Sequence, residues 1–343
     1  MRRGLFFTII GVTSLLLSIQ VLDAYRISQI DRQIVKLSAT ARAEGWQFEW
    51  QEKARQWRPW GSRIVLTAPL IGRASGEGWT GRSLTITPGW RHPFAASFTN
   101  EGAQILRPGG DVVLSAGGGS GWFDPSRQVI IYRTAGVTAS GLPISGIDTL
   151  TLRDITARFL PGGRSADPSL AWSLDLRADR VGPKLSATRG SGSLTPSLPD
   201  LLAALPEARY FHLVLAALHR TSDGHDLSDR PAGLTQYVGY ERFLIQEASF
   251  TLGPLSVVAR GTLSDAGQGT VWAHLTGLQG FARYWVTHTP QALRNNPDYA
   301  RLLAGLDEQT ARIPDHLDLP IPLGPDDILL QNHISAIITG HYR

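Results

Sequence analysis

Cysteine is absent from this chain of 343 residues, which excludes a disulfide framework and any metal site built from thiolates. Long runs of like charge are also missing. The net charge of +4 comes from scattered basic residues, nearly all arginine, because lysine occurs only at positions 36, 53 and 184. Scattered arginine is typical of a solvated surface, so the sequence predicts no nucleic-acid partner.

Charged residues are missing between Arg3 and Asp23. At about 1.5 Å per residue, a helix over residues 4–22 is close to the roughly 30 Å thickness of a bilayer core. Arg2 and Arg3 precede it, and such residues hold the adjoining end of a span in the cytoplasm. We predict that residues 1–22 form a cytoplasmic tip and a single-pass anchor in a bacterial inner membrane, which leaves the bulk of the chain in the periplasm.

The alternative to an anchor is a cleaved secretory signal. Such signals have a shorter apolar region and a cleavage site between small residues. Here the apolar run is long, and Asp23 stands beside any plausible cleavage point. The pattern therefore favours a segment that is retained.

Residues 23–45 follow the predicted span and show a helical repeat. Apolar residues recur with spacings of three and four at Ile27, Ile30, Ile34, Leu37 and Ala41. This pattern predicts a juxtamembrane helix with one apolar stripe, ended by a glycine at position 45. Two heptads leave two interpretations open: the stripe packs on the chain's own domain, or it forms the seam of a homodimer.

From residue 46 onward the sequence becomes rich in glycine, proline and threonine, and its apolar residues alternate with polar ones. Trp172, Leu174 and Leu176 alternate with polar residues, which is typical of a half-buried strand. The runs 255–263 and 270–278 flank a glycine-containing loop and predict an antiparallel hairpin. Strand-like segments also lie at 64–67, 83–87, 112–114, 128–133, 150–152, 185–194, 211–219 and 243–251.

Helices after residue 45 are predicted to be few. Asn296 and Pro297 resemble the start of a helix that Pro314 would end, and a short helical turn is predicted at 201–205. The fold class is therefore mainly β (α+β), with a predominantly antiparallel sheet over residues 46–343. A stretch rich in glycine and proline at 161–167 is a candidate break between two lobes.

Two glycine-rich segments resemble catalytic or nucleotide-binding motifs in their letters but lack the flanking elements that such motifs need. Residues 76–81 read G-x-G-x-x-G, but a strand pattern follows where a phosphate-binding helix would begin, so we interpret them as a turn. Ser120 lacks the second glycine of a nucleophile elbow, because position 122 is tryptophan, and we predict a flexible hairpin loop there. No Gly-Lys dipeptide occurs, which excludes a Walker A loop.

Titratable residues form no specific catalytic or metal signature. A polar cluster spans 219–229, but its composition is also that of a surface turn, and H-E-x-x-H is absent. The sequence therefore predicts no catalytic residue, no cofactor and no metal ligand. A cell-wall hydrolase stays an alternative, and its candidate residues are His219, Asp223, His225, Asp226, Asp229, Asp148, Asp154, Glu241 and Glu247.

Four tryptophans, at 46, 50, 57 and 60, occur within fifteen residues. Three interpretations compete: core packing, an aromatic belt at the membrane surface, and a stacking platform for sugars. Core packing is favoured over the belt. An upright helix over residues 23–44 would carry these rings about 30 Å from the end of the anchor.

Three short segments resemble a known family. They are Ala43-Glu-Gly-Trp46, the run from Trp60 to Pro69, and the run from Leu317 to Gly324. With the N-terminal anchor, they resemble the Gram-negative family catalogued as domain of unknown function 2125, which has no assigned catalytic residues. Where that family has a Gly-Phe-Pro-type segment, this chain reads Pro59-Trp60-Gly61.

Strands that end repeatedly in glycine, as over residues 255–278, are also similar to the repetitive β segments of AsmA-like envelope proteins. That similarity implies a long curved sheet with an apolar groove that handles lipid. We therefore expect a non-enzymatic protein that binds lipid or an envelope protein partner. The alternatives are the periplasmic hydrolase and a scaffold that dimerises through the juxtamembrane helix.

Overall fold

The computed structural model describes the backbone of residues 2–43, 45–58, 61–89, 95–109, 111–124, 129–142, 147–161, 170–185, 205–219, 240–264, 268–289, 291–295 and 297–323. Within these ranges, the side chains described exclude residues 2–19, 109, 147, 161, 184, 185, 219, 240, 241, 292, 293, 298, 299, 302 and 323. The chain divides into two compact units, with the boundary between Ala135 and Gly136. Residues 162–169, which hold most of the predicted break, lie outside the described ranges.

Unit 1 consists of one long helix and a set of antiparallel strands. Its elements are α1 (Arg2–Ala43), β1 (Trp46–Glu49), β2 (Glu52–Gln56), β3 (Arg63–Thr67), β4 (Leu70–Arg73), β5 (Gly78–Pro88), β6 (Ala96–Gly109), β7 (Val112–Ala116), β8 (Gly119–Asp124) and the first part of β9 (Val129–Ser140). The long strand β5 pairs with β4 and β3 in succession, and β6 pairs with β7 and β8 in the same way.

Unit 2 is a sheet whose strands are paired in chain order. After the end of β9, its described elements are β10 (Ile147–Pro161), β11 (Leu170–Leu185), β12 (Ala208–His219), β13 (Tyr240–Leu252), β14 (Leu255–Ser264), β15 (Gly269–Thr276), α2 (Leu278–His288), α3 (Gln291–Arg294), α4 (Pro297–Gln309), a 3-10 helix (Thr310–Arg312) and β16 (His316–Leu323). Each strand from β10 to β16 pairs antiparallel with the next.

The predicted mainly β, antiparallel fold is confirmed, including the hairpin of β14 and β15, where Leu263 lies opposite Gly269. The helix predicted from Pro297 is also confirmed as α4. Helix α2 was not predicted, because the strand pattern was extended as far as Leu278. The strand ends at Thr276, two residues earlier, and Gly277, with φ of 81°, is the N-cap of the helix that begins at Leu278.

The loop predicted around Ser120 is wrong, because residues 119–124 form strand β8 between β6 and β9. Gly119 and Gly121 are needed there to make room. A Cβ atom at either position would overlap the ring of Tyr132 or Phe98. The glycine-rich composition thus reflects close packing of rings on a strand. The turn predicted at residues 76–81 is only partly right, because the turn covers residues 74–76 and residues 78–81 already belong to β5.

The second half of α1 packs on the sheet of unit 1, which is the first of the two interpretations of its stripe. Ile27 and Ile34, exposed by 0% and 6%, form a cluster with Ile64 and Leu66 of β3. Phe48, Leu84 and Ile86 pack around that cluster. Burial of each large aliphatic side chain contributes about 1.5–3 kcal/mol, so this contact joins the helix firmly to the sheet.

One position of the predicted stripe is wrong. Leu37 is 55% exposed, and Ser38 takes the buried place with an exposure of 6%. At 100° per residue, position 38 lies about 20° around the helix from Ile27, whereas position 37 lies about 80° away. Helix α1 ends at Ala43, and Gly45 follows with φ of 79°, as the sequence predicted.

Within the described part of the chain, no helix combines the length and the apolar composition needed to cross a bilayer. Side chains 2–19, which make up most of the predicted anchor, lie outside the described set. The anchor therefore stays a prediction.

We expect Ile34→Ala to reduce the free energy of unfolding of unit 1 by about 2–5 kcal/mol, because it removes a buried side chain from the contact between α1 and β3. Val35→Ala, at a neighbouring side chain that is 50% exposed, should change it by less than about 0.5 kcal/mol. Denaturant unfolding of the full chain in detergent, followed by tryptophan fluorescence, measures both. A larger loss at Val35 would indicate that the exposed side of α1 carries the important contact.

Candidate functional site

One face of the unit 2 sheet is apolar across seven consecutive strands. Residues directly opposite each other in antiparallel strands lie on the same face of a sheet. Their register therefore defines two rows from β10 to β16 in which every side chain is described. We call these two rows the apolar face. The first row is Phe159, Leu174, Leu215, Ile245, Gly261, Val271 and Ile321, and the second is Ala157, Leu176, Leu213, Ala248, Ala259, Ala273 and Leu319.

The apolar face is only partly covered by the described elements. Val271 and Ala273 are buried, while the other twelve members are half-buried. Helix α2 packs against β14, and among the described elements of unit 2 only neighbouring strands make extensive contacts with β11 and β12. The side chains of the two rows therefore contact mainly one another and leave apolar surface accessible.

An aromatic row closes one end of the apolar face. The rings of Phe159 and Trp172 lie 5.9 Å apart, and those of Trp172 and Phe243 lie 6.2 Å apart. Ala217 stands opposite both Trp172 and Phe243 on the intervening strand and is fully buried. Its small side chain allows the two large rings to meet above it. The row thus provides a wide, rigid apolar surface.

The opposite face of the same strands carries most of their polar side chains, with a few apolar ones such as Val214, Leu244 and Val258 among them. His212 on β12 lies between two carboxylates, with Nε2 at 3.0 Å from Asp175 Oδ1 and Nδ1 at 3.3 Å from Glu247 Oε1. The Ser249 hydroxyl donates a hydrogen bond of 2.9 Å to Glu247 Oε1. This bond is the largest cause of a lowered pKa of Glu247, with further contributions from His212 and Arg260. The lowered pKa favours the ionised carboxylate and so the His212 contact.

The chemistry of this polar cluster does not match a serine-type nucleophile. A nucleophilic hydroxyl needs its proton accepted by a base such as histidine. The Ser249 hydroxyl instead donates to Glu247, and both His212 nitrogens face carboxylates. The four groups satisfy one another on the surface of three adjacent strands, so the cluster links those strands and leaves no free base.

The structure brings together no pair from the predicted set of hydrolase carboxylates whose side chains it describes. Asp148 and Asp154 are both exposed on β10, and Glu247 lies on β13, two strands beyond β11. At about 4.8 Å per strand, the backbones of β10 and β13 are about 14 Å apart. Residues 220–229 and the side chains of His219 and Glu241 lie outside the described set.

Metal coordination finds no support in the part of the chain that the structure describes. No group of three histidine, aspartate or glutamate side chains there is arranged to hold a metal ion. The polar face also carries Trp272, which is 59% exposed beside Arg260 in an open, shallow depression. This depression has the form of a surface irregularity and not of a catalytic cleft.

Unit 1 contains a separate polar network on its sheet. Gln104 Oε1 accepts hydrogen bonds from Asn100 Nδ2 at 2.9 Å and from Trp79 Nε1 at 3.3 Å. Gln104 Nε2 donates to the Tyr132 hydroxyl oxygen at 3.0 Å. Asn100 and Gln104 are both buried. Asn100 Oδ1 has no partner among the described residues, which is typical of a group that binds an internal water molecule.

Sequence reasoning missed His212 and Asp175, which lie 35 and 72 positions before Glu247 in the chain. Glu247 and Ser249 are two residues apart on β13, which places them on the same face of the sheet. Their partners come from other strands, whose register no local pattern reveals. The apolar rows, in contrast, follow from alternation that was visible in most strands.

We expect Ser249→Ala to raise the pKa of Glu247, because it removes the largest cause of the lowered value. A lowered carboxyl pKa stabilises the fold above the unfolded-state value and loses this effect as pH falls through the folded-state value. The variant should therefore have a lower Tm than the parent at pH 7. The difference should shrink as pH falls below 4.5, the ordinary pKa of Glu247, and disappear below its lower folded-state pKa.

Ser256→Ala is the matched control, because Ser256 lies opposite Thr251 and Thr276 and away from Glu247. Carboxyl NMR titration and thermal unfolding across pH 3–7 measure both variants. An unchanged Glu247 titration in Ser249→Ala would contradict the assignment of this hydrogen bond.

Comparison of the chain with models of known protein families, with curated proteins and with solved structures finds no match. The resemblances to the domain of unknown function 2125 family and to AsmA-like proteins therefore stay predictions.

Proposed function

We propose that unit 2 binds the acyl chains of lipid on its apolar face, in a non-enzymatic protein that residues 4–22 hold in a bacterial inner membrane. The observation that carries this proposal is the pair of apolar rows across seven strands, most of whose members are half-buried. Apolar surface in water is unfavourable by about 25 cal/mol per Å². A ligand that covers this surface therefore stabilises the complex.

The chemistry of the face favours an acyl chain as the ligand. A hydrocarbon chain has no hydrogen-bonding group, and the two rows offer none in return. A peptide laid across the same rows would leave its backbone N–H and C=O groups unpaired, which is unfavourable by about 1–3 kcal/mol each. The aromatic row of Phe159, Trp172 and Phe243 adds a broad apolar contact at one end.

Addition of a partner strand is also disfavoured at the β16 edge. Pro320 and Pro322 occupy alternate positions of this last strand in the described order. Proline has no backbone N–H, so the edge lacks two of the donors that an added strand would need. This arrangement favours lipid over an envelope protein that binds by extending the sheet.

The proposed anchor supplies a source of ligand. A chain whose residues 4–22 cross the inner membrane, with residues 23–343 in the periplasm, works beside a phospholipid leaflet. The similarity to AsmA-like envelope proteins implies the same ligand class. Lipid binding therefore agrees with both the predicted location and the sheet.

We expect Val257→Glu to reduce the lipid retained by the purified full chain at least tenfold. Val257 lies between Phe250 and Leu275 on the apolar side, so the variant places a carboxylate in the path of the acyl chain. A loss of only about 1.4 kcal/mol already gives a tenfold change. Mass spectrometry of extracted phospholipid measures the retained amount.

Val258→Glu is the matched control, because the next residue lies opposite Ser249 and His274 on the polar side. It should retain as much lipid as the parent. Thermal unfolding confirms that both variants fold. Full retention by a folded Val257→Glu variant would contradict the proposed function.

A second experiment covers the case in which Val257→Glu fails to fold. Benzoylphenylalanine, an apolar photo-crosslinker, replaces Val257 or Val258 in cells whose phospholipids carry radioactive phosphate. Illumination should label the protein at position 257 and not at 258. Equal labelling at both positions, or none at 257, would overturn acyl-chain binding.

A further inference from the structure

The β2–β3 hairpin of unit 1 runs back along α1 to the point where the charge-free segment ends. Lys53 Nζ contacts Asp31 Oδ1 at 2.8 Å. Further along β2, Arg55 Nη2 donates to the Ala24 carbonyl at 3.5 Å. The backbone N–H of Ser62, after the hairpin turn, donates to Asp23 Oδ2 at 2.7 Å. Ser62, the residue before β3, therefore lies beside Asp23.

This path changes the distance from the anchor that the sequence suggested for the tryptophans. Trp57 follows Gln56, the last residue of β2, and Gln56 pairs with Arg63 at the base of the turn. An upright helix would carry residue 46 about 30 Å from the anchor, but β1 and β2 then lead the chain back along α1, past the contacts of Lys53 with Asp31 and Arg55 with Ala24. Trp57 thus belongs to the end of unit 1 that faces the predicted membrane span.

Large apolar side chains are exposed at this same end. Val21 is 68% exposed, Leu22 48%, Tyr25 57% and Trp57 59%. A single exposed apolar residue is ordinary, but a group at one end of a unit indicates a contact surface. Tyrosine and tryptophan are also the residues enriched at the boundary between bilayer and water.

Basic side chains outnumber acidic ones among the described residues at this end. Arg55 and Arg58 are exposed on the hairpin. The nearest acidic group, Asp23, accepts the hydrogen bond from the Ser62 backbone, and Asp31 is paired with Lys53. Basic residues at a membrane surface contribute about 1 kcal/mol each when the leaflet carries anionic lipid.

We propose that Val21, Leu22, Tyr25, Arg55, Trp57 and Arg58 form a membrane-contact collar that lies in the headgroup layer of the bilayer. In this arrangement, Tyr25 and Trp57 occupy the boundary between headgroups and acyl chains, while Arg55 and Arg58 contact lipid phosphates. The collar fixes the sheet of unit 1 directly at the membrane surface. This inference rests on the proposed anchor and is independent of acyl-chain binding by unit 2.

The absence of cysteine permits a direct test by spin labelling, because each introduced cysteine is unique. A nitroxide is attached at Trp57→Cys, Trp272→Cys or Ser14→Cys in the full chain, reconstituted into phosphatidylcholine vesicles with one quarter phosphatidylglycerol. Power-saturation electron paramagnetic resonance then compares collisions of each label with oxygen and with a water-soluble nickel complex. The ratio reports the depth of the label in the bilayer.

Trp272→Cys is a matched control, because Trp272 has the same exposure of 59% as Trp57 but lies on the polar face of unit 2. We expect the label at 57 to show a ratio typical of the headgroup layer, at least threefold above that at 272. The label at 14 should report the bilayer core. Labels at 57 and 272 with equal, water-like ratios would overturn the collar while the anchor stands.

A water-like ratio at position 14 would overturn both the anchor and the collar. Acyl-chain binding is tested separately by the Val257 and Val258 variants, so the two proposals fail independently. As a second measurement, Arg55→Gln with Arg58→Gln should reduce the 57-to-272 difference more in vesicles with phosphatidylglycerol than in neutral vesicles. An equal effect in both would contradict contact with anionic lipid.

Discussion

Alternation of apolar and polar residues along antiparallel strands builds a sheet with one apolar face, and water is an unfavourable neighbour for that face. Unit 1 meets this constraint with its own helix: Ile27 and Ile34 of α1 cover Ile64 and Leu66. In unit 2 the described helices pack chiefly at β14, and the rows through Leu174 and Leu176 stay half-buried. Unit 1 thus covers its apolar face with its own helix, whereas unit 2 leaves much of its apolar face uncovered by described elements. This uncovered surface is the basis for the proposed ligand.

The proposed membrane span and the part of helix α1 that covers the unit 1 sheet meet at Asp23. Before Asp23 the sequence has the composition of a membrane span, and after it the helix forms the cover of the unit 1 sheet. The Asp23 carboxylate accepts a hydrogen bond from the backbone N–H of Ser62, and Ser62 is fully buried. That contact joins the start of the covering segment to the β2–β3 hairpin. A force on the proposed anchor would therefore be transmitted through this hydrogen bond to the β2–β3 hairpin.

The polar face of unit 2 shows why a cluster of titratable side chains need not be a catalytic site. His212, Asp175, Glu247 and Ser249 satisfy one another's hydrogen bonds across three strands. Such a network fixes strand register, since a shift by one residue would move these groups to the apolar face. The apolar face carries no comparable network among its rows. Any ligand on this face would be held by burial of apolar surface, which suits a hydrocarbon chain.

Local sequence patterns determined the mainly β class, the glycine that ends α1, the start of α4 at Pro297 and the β14–β15 hairpin, because each depends on neighbours along the chain. They did not predict the strands β1, β2, β4 and β6. They failed at Ser120, where Gly119 and Gly121 accommodate rings from other strands, and at Leu37, where the true helical period moved Ser38 inward. Tertiary structure alone decided the partners of Glu247, the return of Trp57 to Asp23, and which apolar face α1 covers. These depend on strand register and helix docking, which contacts between distant residues fix.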